Sequence, residues 1–224
     1  MRRNGHAKRL FLVLSLLGAV TLAPLSAQEP RLQTLAATGT SVEVQEAIQH
    51  GADINNTTAA GVTPLMAAAG SNRDSTVVAL LLKSGATLGA RNRYGETALS
   101  FAAEYNSSPE MIGALIKAGS DIRDADLLGR TPLIHAAKCN PNADVIEVLL
   151  QAGSPVNFRD LKGMTALHWA ARQNTNPKVV ALLLHAGADI TAKSDDGRTP
   201  LDYALGNPAL QDDSELITSL KNAK

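Results

Sequence analysis

Cysteine and aromatic residues are scarce in this sequence. Cys139 is the only cysteine among 224 residues, so an internal disulfide and a cysteine-rich metal site are both excluded. Phe, Trp and Tyr together make up 3% of the chain, which is little for a single thick hydrophobic core. Alanine and leucine are abundant instead, so the composition predicts many thin helices that pack through small contacts.

A net charge of one sign is also missing. Lysine and arginine number 21, aspartate and glutamate also number 21, and the formal net charge is zero. Four of the basic residues precede residue 27 without any acid among them, so the rest of the chain holds 17 basic and 21 acidic residues. This bulk charge favours neither a nucleic acid nor a membrane surface as the partner.

Catalytic signatures are absent from the chain as well. The sequence contains no Gly-x-Ser-x-Gly elbow, no His-Glu-x-x-His pair, no Walker loop and no dinucleotide fingerprint. Its carboxylates are scattered, and no pair of them is placed for acid–base chemistry. The sequence therefore predicts a protein that is not an enzyme and that binds no cofactor or metal ion, with catalysis as a remote alternative.

Residues 1–27 have the three parts of a secretory signal. A basic segment, Arg2 to Arg9, precedes a 14-residue apolar run from Leu10 to Ala23, which is short for the roughly 20 residues that span a bilayer. Small residues follow at Ser26 and Ala27. This pattern predicts a signal peptide cleaved near Ala27 and a periplasmic or secreted mature protein without stable membrane insertion. The alternative interpretation of the apolar run is a membrane anchor.

Three sequence markers recur at steps of 34 residues. The first marker is a glycine two residues before Thr-Pro-Leu or a variant of it. The second is a glycine that follows an apolar run, and the third is an asparagine that lies between these two glycines in the sequence. The positions are Gly61, Gly95, Gly129, Gly163 and Gly197; Gly51, Gly85, Gly119, Gly153 and Gly187; and Asn72, Asn106, Asn140 and Asn174. The repeats divide the chain into a degenerate N-terminal unit at 28–57, full units at 58–91, 92–125, 126–159 and 160–193, and a C-terminal capping unit at 194–224.

Each unit carries the start and stop signals of two helices. Threonine-proline pairs open the first helix, because the hydroxyl caps free amides and proline suits the first turn. These pairs are Thr63-Pro64, Thr131-Pro132 and Thr199-Pro200. Asn72 and its equivalents lie where the chain reverses, and we expect them to adopt the left-handed conformation that asparagine tolerates. Pro109 and Pro177 open the second helix, and Gly85 and its equivalents end it.

The repeating unit resembles the ankyrin repeat, whose signature is Thr-Pro-Leu-His-x-Ala. The resemblance extends over about residues 30–222, with a period of 34 rather than 33 residues. It implies an all-α solenoid of stacked helix-turn-helix units with projecting β-hairpin-like loops. The signature histidine is kept only at His168, for which a structural role is favoured over that of a catalytic base. The other units have Met66, Ser100, Ile134 and Asp202 in its place.

The resemblance also implies a non-catalytic module that binds a protein partner and is itself a monomer. In the ankyrin family, partners contact the loop tips and the concave face of the first helices. Carried over by register, the candidate contact residues are Arg91, Arg93, Tyr94, Glu96, Leu127, Leu128, Arg130, Arg159, Leu161, Lys162 and Arg172. The three leucines lie in otherwise polar tips, so they indicate either a protein contact or packing against the neighbouring tip.

Two points on the resemblance stay open at the level of sequence. Some exported bacterial ankyrin proteins that are similar to this chain are associated with catalases, so an accessory role in oxidative-stress defence, supporting a periplasmic catalase, is an alternative function. His135 lies one position further along its helix than His168 and aligns with an aromatic residue in three other units. We therefore expect His135 to belong to a packed row with Phe101, Trp169 and Tyr203.

Overall fold

The computed structural model describes residues 32–222, and the predicted signal peptide at 1–27 lies outside this range. The described chain folds into twelve helices arranged as six consecutive pairs, with turns and loops between them and no β-strand within 32–222. The pairs are α1 Leu32–Thr38 and α2 Ser41–Gln49; α3 Pro64–Ser71 and α4 Ser75–Lys83; α5 Ala98–Tyr105 and α6 Pro109–Lys117; α7 Pro132–Cys139 and α8 Ala143–Gln151; α9 Ala166–Gln173 and α10 Pro177–His185; α11 Pro200–Ala204 and α12 Ser214–Asn222.

The helix pairs stack in chain order into two layers. The first helices of successive pairs pack on one another from α1 to α11, and the second helices do the same from α2 to α12. The predicted all-α solenoid of stacked helix-turn-helix units is therefore confirmed. None of the helices that the structure describes has the length and apolarity that crossing a bilayer requires.

Small residues separate the helices of the first layer. Ala102 and Ala103 on α5 and Ala136 and Ala137 on α7 are fully buried, and their short side chains let the helix backbones approach closely. The second layer is filled by larger groups such as Leu149, also fully buried. Each unit thus contributes a thin slice of one continuous core, which explains how the chain folds with so few aromatic residues.

Threonine side chains begin the first helices of the full units and of the capping unit. The Oγ1 atom of Thr63 accepts the backbone N–H of Met66 at 3.2 Å, and Thr131 and Thr199 make the equivalent contacts. Pro64, Pro132 and Pro200 occupy the first turn. Each cap satisfies an amide that the helix start leaves without an internal partner.

The prediction for the recurring asparagines is wrong, because their backbone is extended rather than left-handed. Asn140 has φ −85° and ψ 118°, and its side chain reaches back to the preceding unit. Its Nδ2 donates to the carbonyl oxygens of Ala103 at 3.0 Å and Asn106 at 2.8 Å. Its Oδ1 accepts the N–H of Asn142 at 3.0 Å. The amide therefore satisfies carbonyls at the end of α5 and an N–H at the start of α8.

The same contacts recur through the stack and form what we call the asparagine ladder. Its members are Asn72, Asn106, Asn140, Asn174 and Asn207, each of which donates twice to the preceding unit. Sequence reasoning missed Asn207, because it follows Asn174 by 33 residues instead of 34. The ladder shows that the asparagine side chain, not its backbone freedom, is what each unit requires.

The loops between units form tight hairpin-like tips. In one tip, Asp126 N–H donates to the carbonyl of Arg130 and Gly129 N–H donates to that of Asp126. Successive tips are joined by single backbone hydrogen bonds, such as Leu127 N–H to the Tyr94 carbonyl at 2.9 Å. At Gly95, whose φ is 79°, a Cβ atom would lie 2.9 Å from the nitrogen of Leu127, so only glycine permits this close approach.

Candidate functional site

Four large apolar side chains are exposed on adjacent loop tips. The exposed fraction is 63% for Tyr94, 68% for Leu127, 51% for Leu128 and 72% for Leu161. Hydrogen bonds from Leu127 to Tyr94 and from Leu161 to Leu128 place these residues side by side in three successive units. Their exposure excludes the alternative that the leucines are covered by neighbouring tips. Together with the exposed Arg93 we call them the tip patch.

The first residue of each tip holds the loop in shape. Asp126 Oδ1 accepts the backbone N–H groups of Leu128 and Arg130, both at 2.8 Å. Asp160 makes the same pair of contacts to Lys162 and Met164 at 2.9 Å. Because these bonds order the loop in advance, the exposed leucines need not lose much backbone freedom when a partner binds.

Several charged candidates are engaged within the protein. Arg91 donates to the carbonyls of Gly95 and Ala125 and pairs with Asp124 at 2.6 Å. Arg159 donates to the Lys193 carbonyl at 2.7 Å. These groups tie neighbouring loops together. Two further candidates are bonded within the protein: Glu96 accepts a hydrogen bond from Asn92, and Arg130 pairs with Asp126. The remaining charged candidates, Arg93, Lys162 and Arg172, are exposed.

Polar and aromatic rings recur at one position of the first helices. Phe101, His135, Trp169 and Tyr203 occupy equivalent positions on α5, α7, α9 and α11. Trp169 Nε1–H donates to Asp160 Oδ2 at 2.8 Å. Asp126 precedes His135 by nine residues, and Asp160 precedes Trp169 by the same number. This shared spacing could have identified both acid–ring pairs from the sequence.

Cations lie over the faces of two of these rings. The guanidinium of Arg172 is 5.5 Å from the ring centroid of Trp169 and 5.7 Å from that of Tyr203. The Lys138 ammonium lies 5.7 Å from the same Trp169 centroid. Attraction between a cation and an aromatic face holds these long side chains in place.

At the equivalent position on α7, the side chain of His135 is fully buried. It takes part in a network of ion pairs instead of packing against other rings. His135 Nδ1 lies 2.6 Å from Glu104 Oε2, and Nε2 lies 3.2 Å from Asp126 Oδ2. Arg130 contacts the same Asp126 oxygen through Nε at 2.8 Å and Nη2 at 2.6 Å. The sequence did not predict that Glu104 and Asp126 flank His135, because stacking brings together groups from two units.

The network favours the charged form of each member. Burial opposes a charge on His135, but its contacts with the Asp126 and Glu104 carboxylates outweigh burial and raise the pKa of the imidazole. Burial also opposes the charge of Asp126, yet bonds from His135 and Arg130 lower the pKa of that carboxyl. At Glu104 burial is likewise outweighed by His135, so its pKa is lowered.

The geometry of this network does not favour metal binding or catalysis. Glu96, Asp126 and His135 each offer a ligand atom within 4.8 Å of the others, which is close enough to consider a metal ion. However, the Arg130 guanidinium already occupies Asp126 Oδ2, and its positive charge opposes a divalent cation. A substrate cannot reach the fully buried ring of His135. The network instead links α5, α7 and a tip electrostatically.

His168 is also fully buried, and both of its ring nitrogens are engaged. Nδ1 accepts the N–H of Thr165 at 3.1 Å, while Nε2 lies 3.1 Å from the Ala192 carbonyl oxygen in the next loop. Burial lowers the pKa of the ring, although the carbonyl contacts oppose this effect. The neutral ring therefore connects α9 to the loop that follows α10 and has no nitrogen free to act on a substrate.

The repeat pattern has a counterpart among known protein families. The family model of ankyrin repeats in three copies matches residues 32–126 and again residues 99–194, more than half of the chain. A search of curated proteins returned no significant match. The ankyrin fold is generally a non-catalytic module that binds other proteins. With six stacked helix pairs, capped first helices and a matching family model, this chain belongs to the ankyrin-repeat family.

Proposed function

We propose that this protein is a non-catalytic binding module whose protein partner contacts the tip patch and the adjoining concave face. The tip patch is the observation that carries the proposal, since four large apolar side chains are at least half exposed there. Adjacent exposed apolar groups are typical of interaction surfaces. Tyrosine and arginine, both present in the patch, are enriched among the residues that dominate binding energies.

The opposite side of the stack offers a contrasting surface. The outer positions of the second helices include Lys83, Lys117 and Gln151, which are long, polar and exposed. Such side chains are depleted from interface centres or lose much conformational freedom when they are covered. We therefore assign partner binding to the tips and first helices and treat the second-helix surface as the solvated side.

The proposal predicts a large effect from two truncations in the tip patch. Replacing Tyr94→Ala together with Leu128→Ala is expected to weaken partner binding by more than about 2 kcal/mol, as for central interface residues. The melting temperature should change little, because both side chains are exposed. The partner would be isolated by affinity capture, identified by mass spectrometry and titrated calorimetrically with each purified variant.

A matched double variant on the other side provides the control. Lys83→Ala with Lys117→Ala removes two exposed side chains from α4 and α6, and partner affinity should be retained. Circular dichroism of all variants would show that the fold is preserved. Loss of affinity in the lysine variant with normal binding by the tip variant would place the interface on the second helices and contradict the proposal.

We also propose that the mature protein is exported. The support is the basic, apolar and small-residue pattern of residues 1–27, which lie outside the described structure. The mature chain is then expected to begin near Gln28 and to be recovered from the periplasmic fraction of a Gram-negative host. N-terminal sequencing would check the cleavage, and an uncut chain that fractionates with membranes would support the anchor interpretation instead.

A further inference from the structure

A cleft of about 230 Å³ lies beside the tip patch, where the tips of units 126–159 and 160–193 meet α7 and α9. Leu128 and Leu161 border it, and the indole of Trp169 contributes to its wall. Lys138, Lys162 and Arg172 also line the cleft. The cleft therefore combines an apolar border that continues the tip patch with several positive charges.

The acidic group that lines the cleft is already satisfied. Asp160 is buried, and its Oδ2 accepts the Trp169 indole N–H at 2.8 Å. Its Oδ1 accepts two backbone N–H groups, those of Lys162 and Met164, at 2.9 Å. These three bonds occupy most of the lone pairs of Asp160, so few remain to accept hydrogen bonds from the surrounding cations.

The cations that line the cleft are only weakly compensated by the protein. Within residues 32–222, Lys162 and Arg172 have no carboxylate oxygen within ion-pair distance. Lys138 lies 3.9 Å from Glu104, but that carboxylate also binds His135 at 2.6 Å. Lys138 and Arg172 each lie within 6 Å of the Trp169 ring centroid, so an anion bound in the cleft beside this ring would be attracted to both cations.

We infer that this cleft binds a peptide segment of the protein partner that is rich in acidic residues and leucine. The acidic side chains of the segment contact the cations of the cleft, and its apolar side chains pack on Leu128 and Leu161. Arginine and lysine recognise carboxylates through charge-assisted hydrogen bonds. The inference rests on the proposed function and specifies the chemistry of the partner. Residues 28–224 carry more acidic than basic groups, so the positive charge of the cleft is opposite in sign to the net charge of this part of the chain.

The surroundings favour an acidic peptide over a nucleic acid. A nucleic acid backbone requires positive charge along an extended track, whereas the cations here converge on one small cleft. The adjoining surface is apolar at Leu127, Leu128 and Leu161. The excess of acidic residues in the rest of the chain would also repel a long polyanion. Acidic and apolar side chains alternating on one peptide match both parts of the surface.

Trp169 is the only tryptophan in the chain, so its fluorescence reports directly on the cleft. The probe is a short synthetic peptide in which glutamate and leucine residues are separated by glycine and serine. Matched peptides carry glutamine or lysine at every glutamate position, and an oligothymidylate of similar length tests for nucleic acid. We expect saturable fluorescence changes with the glutamate peptide, at least about tenfold tighter than with the glutamine peptide and weakened by added salt.

Substitutions in the cleft locate the binding site. Lys162→Gln combined with Arg172→Gln is expected to reduce affinity for the glutamate peptide by at least about tenfold. Both side chains are exposed, so the melting temperature should hold. Lys83→Gln with Lys117→Gln removes the same number of charges from the other surface and should leave the affinity unchanged. Isothermal titration calorimetry provides a readout for the variants that does not depend on the stacking of Arg172 on Trp169.

Several results would overturn the inference. Among the peptide results, these are equal affinity for the glutamate and glutamine peptides, or no binding of the glutamate peptide at about millimolar concentration. Tighter binding of oligothymidylate than of the glutamate peptide would also contradict it. So would wild-type affinity for the glutamate peptide in the Lys162 and Arg172 double variant. The proposed function is tested separately by the Tyr94 and Leu128 variant against the captured partner. If that variant loses its partner while the peptides fail, the binding module stands and only the acidic chemistry is rejected.

Discussion

At the scale of single residues, the asparagine ladder is the feature that most constrains the repeat. Asn140 is almost fully buried, and it lies where α7 ends. Carbonyl groups at helix ends have no partner within their own helix, and leaving them unpaired in the interior costs free energy. The Asn140 side chain supplies donors to two such carbonyls in the preceding unit. The residue therefore contributes to the fold through its amide group.

This role predicts that Asn140→Ala and Asn140→Gly are both destabilising. Each substitution removes the two donors and the acceptor of the side chain, and we expect a loss of at least about 2 kcal/mol in the free energy of unfolding. Urea denaturation followed by circular dichroism would measure it. If left-handed backbone freedom were the requirement, Asn140→Gly would be tolerated, and that result would contradict the ladder.

Asn157 supplies a matched control for this measurement. Its side chain also contacts the next unit, donating to the Gly187 carbonyl at 3.1 Å and accepting the Asp189 N–H at 2.8 Å. Asn157 is exposed, so water can replace these bonds when the side chain is removed. Asn157→Ala should therefore cost clearly less than Asn140→Ala in the same denaturation experiment.

At the scale of elements, the His135 network connects α5, α7 and the tip that begins at Asp126. Its two carboxylates come from Glu104 on α5 and from the tip, so the network forms only when two units are stacked. The pKa of His135 is raised above the value near 6.5 of an unfolded chain. Its contribution to stability is therefore fully present below about pH 6.5 and is lost as the pH rises through the raised pKa.

The carboxylates and the second buried histidine act in the opposite direction. The pKa values of Asp126 and Glu104 are lowered, so their contribution is present above the unfolded values near 4 and is lost in stronger acid. The pKa of His168 is also lowered, so its contribution is present above about pH 6.5 and declines as the pH falls through the folded value. Among these four groups, only His135 makes the fold weaker as the pH rises above about 6.5.

We predict that His135→Gln removes part of the alkaline loss of stability. The wild-type free energy of unfolding should fall as the pH is raised from about 6.5, and the variant should show a smaller fall. At about pH 6 the variant should be less stable by about 3 kcal/mol, because two buried carboxylates lose their shared cation. Urea denaturation at a series of pH values gives both quantities.

An exposed histidine serves as the comparison for this pH series. His185, near the end of α10, is exposed, and His185→Gln should leave the free energy of unfolding at about pH 6 close to that of the wild type. If His135→Gln retains the full alkaline loss, the imidazole is not charged in the folded state, and the assignment of the network as an ion-pair cluster is wrong.

At the scale of the whole described molecule, stability should follow position in the stack. Leu149 on α8 and Leu183 on α10 are fully buried, since each second helix lies between two others. Leu216 lies on α12, the last helix of the stack, which has a neighbouring second helix on one side only. In such arrays each unit is stabilised chiefly by its immediate neighbours.

We therefore predict that Leu149→Ala and Leu183→Ala each cost roughly 2–5 kcal/mol, the usual range for a buried leucine. Leu216→Ala should cost less, because its surroundings are open on one side and can relax. Chemical denaturation of the three variants makes the comparison under identical conditions. Equal losses at all three positions would contradict the view that stability depends on coverage by adjacent units.

Local signals in the sequence determined the architecture. The Thr-Pro pairs at Thr63 and Thr131, the glycines after each second helix and the 34-residue period act within a few residues or within one unit, so their meaning can be read before the units are assembled. They were sufficient to predict the helix pairs, the stacking order and the projecting loops. The placement of Tyr94 and Leu128 on the tips also followed from register, because every tip occupies the same place in its unit, but the sequence left open whether a neighbouring tip covers Leu128.

The tertiary structure alone decided which side chains meet between units. Asn140 and Ala103 are 37 residues apart, and His135 and Glu104 are 31 apart, so no local pattern shows that they touch. The cleft beside Trp169 depends on the same stacking, since Leu128 and Lys138 come from one unit and Lys162 and Arg172 from the next. Periodicity specifies equivalent positions, but the rotation and spacing of one unit on another determine which charges become neighbours.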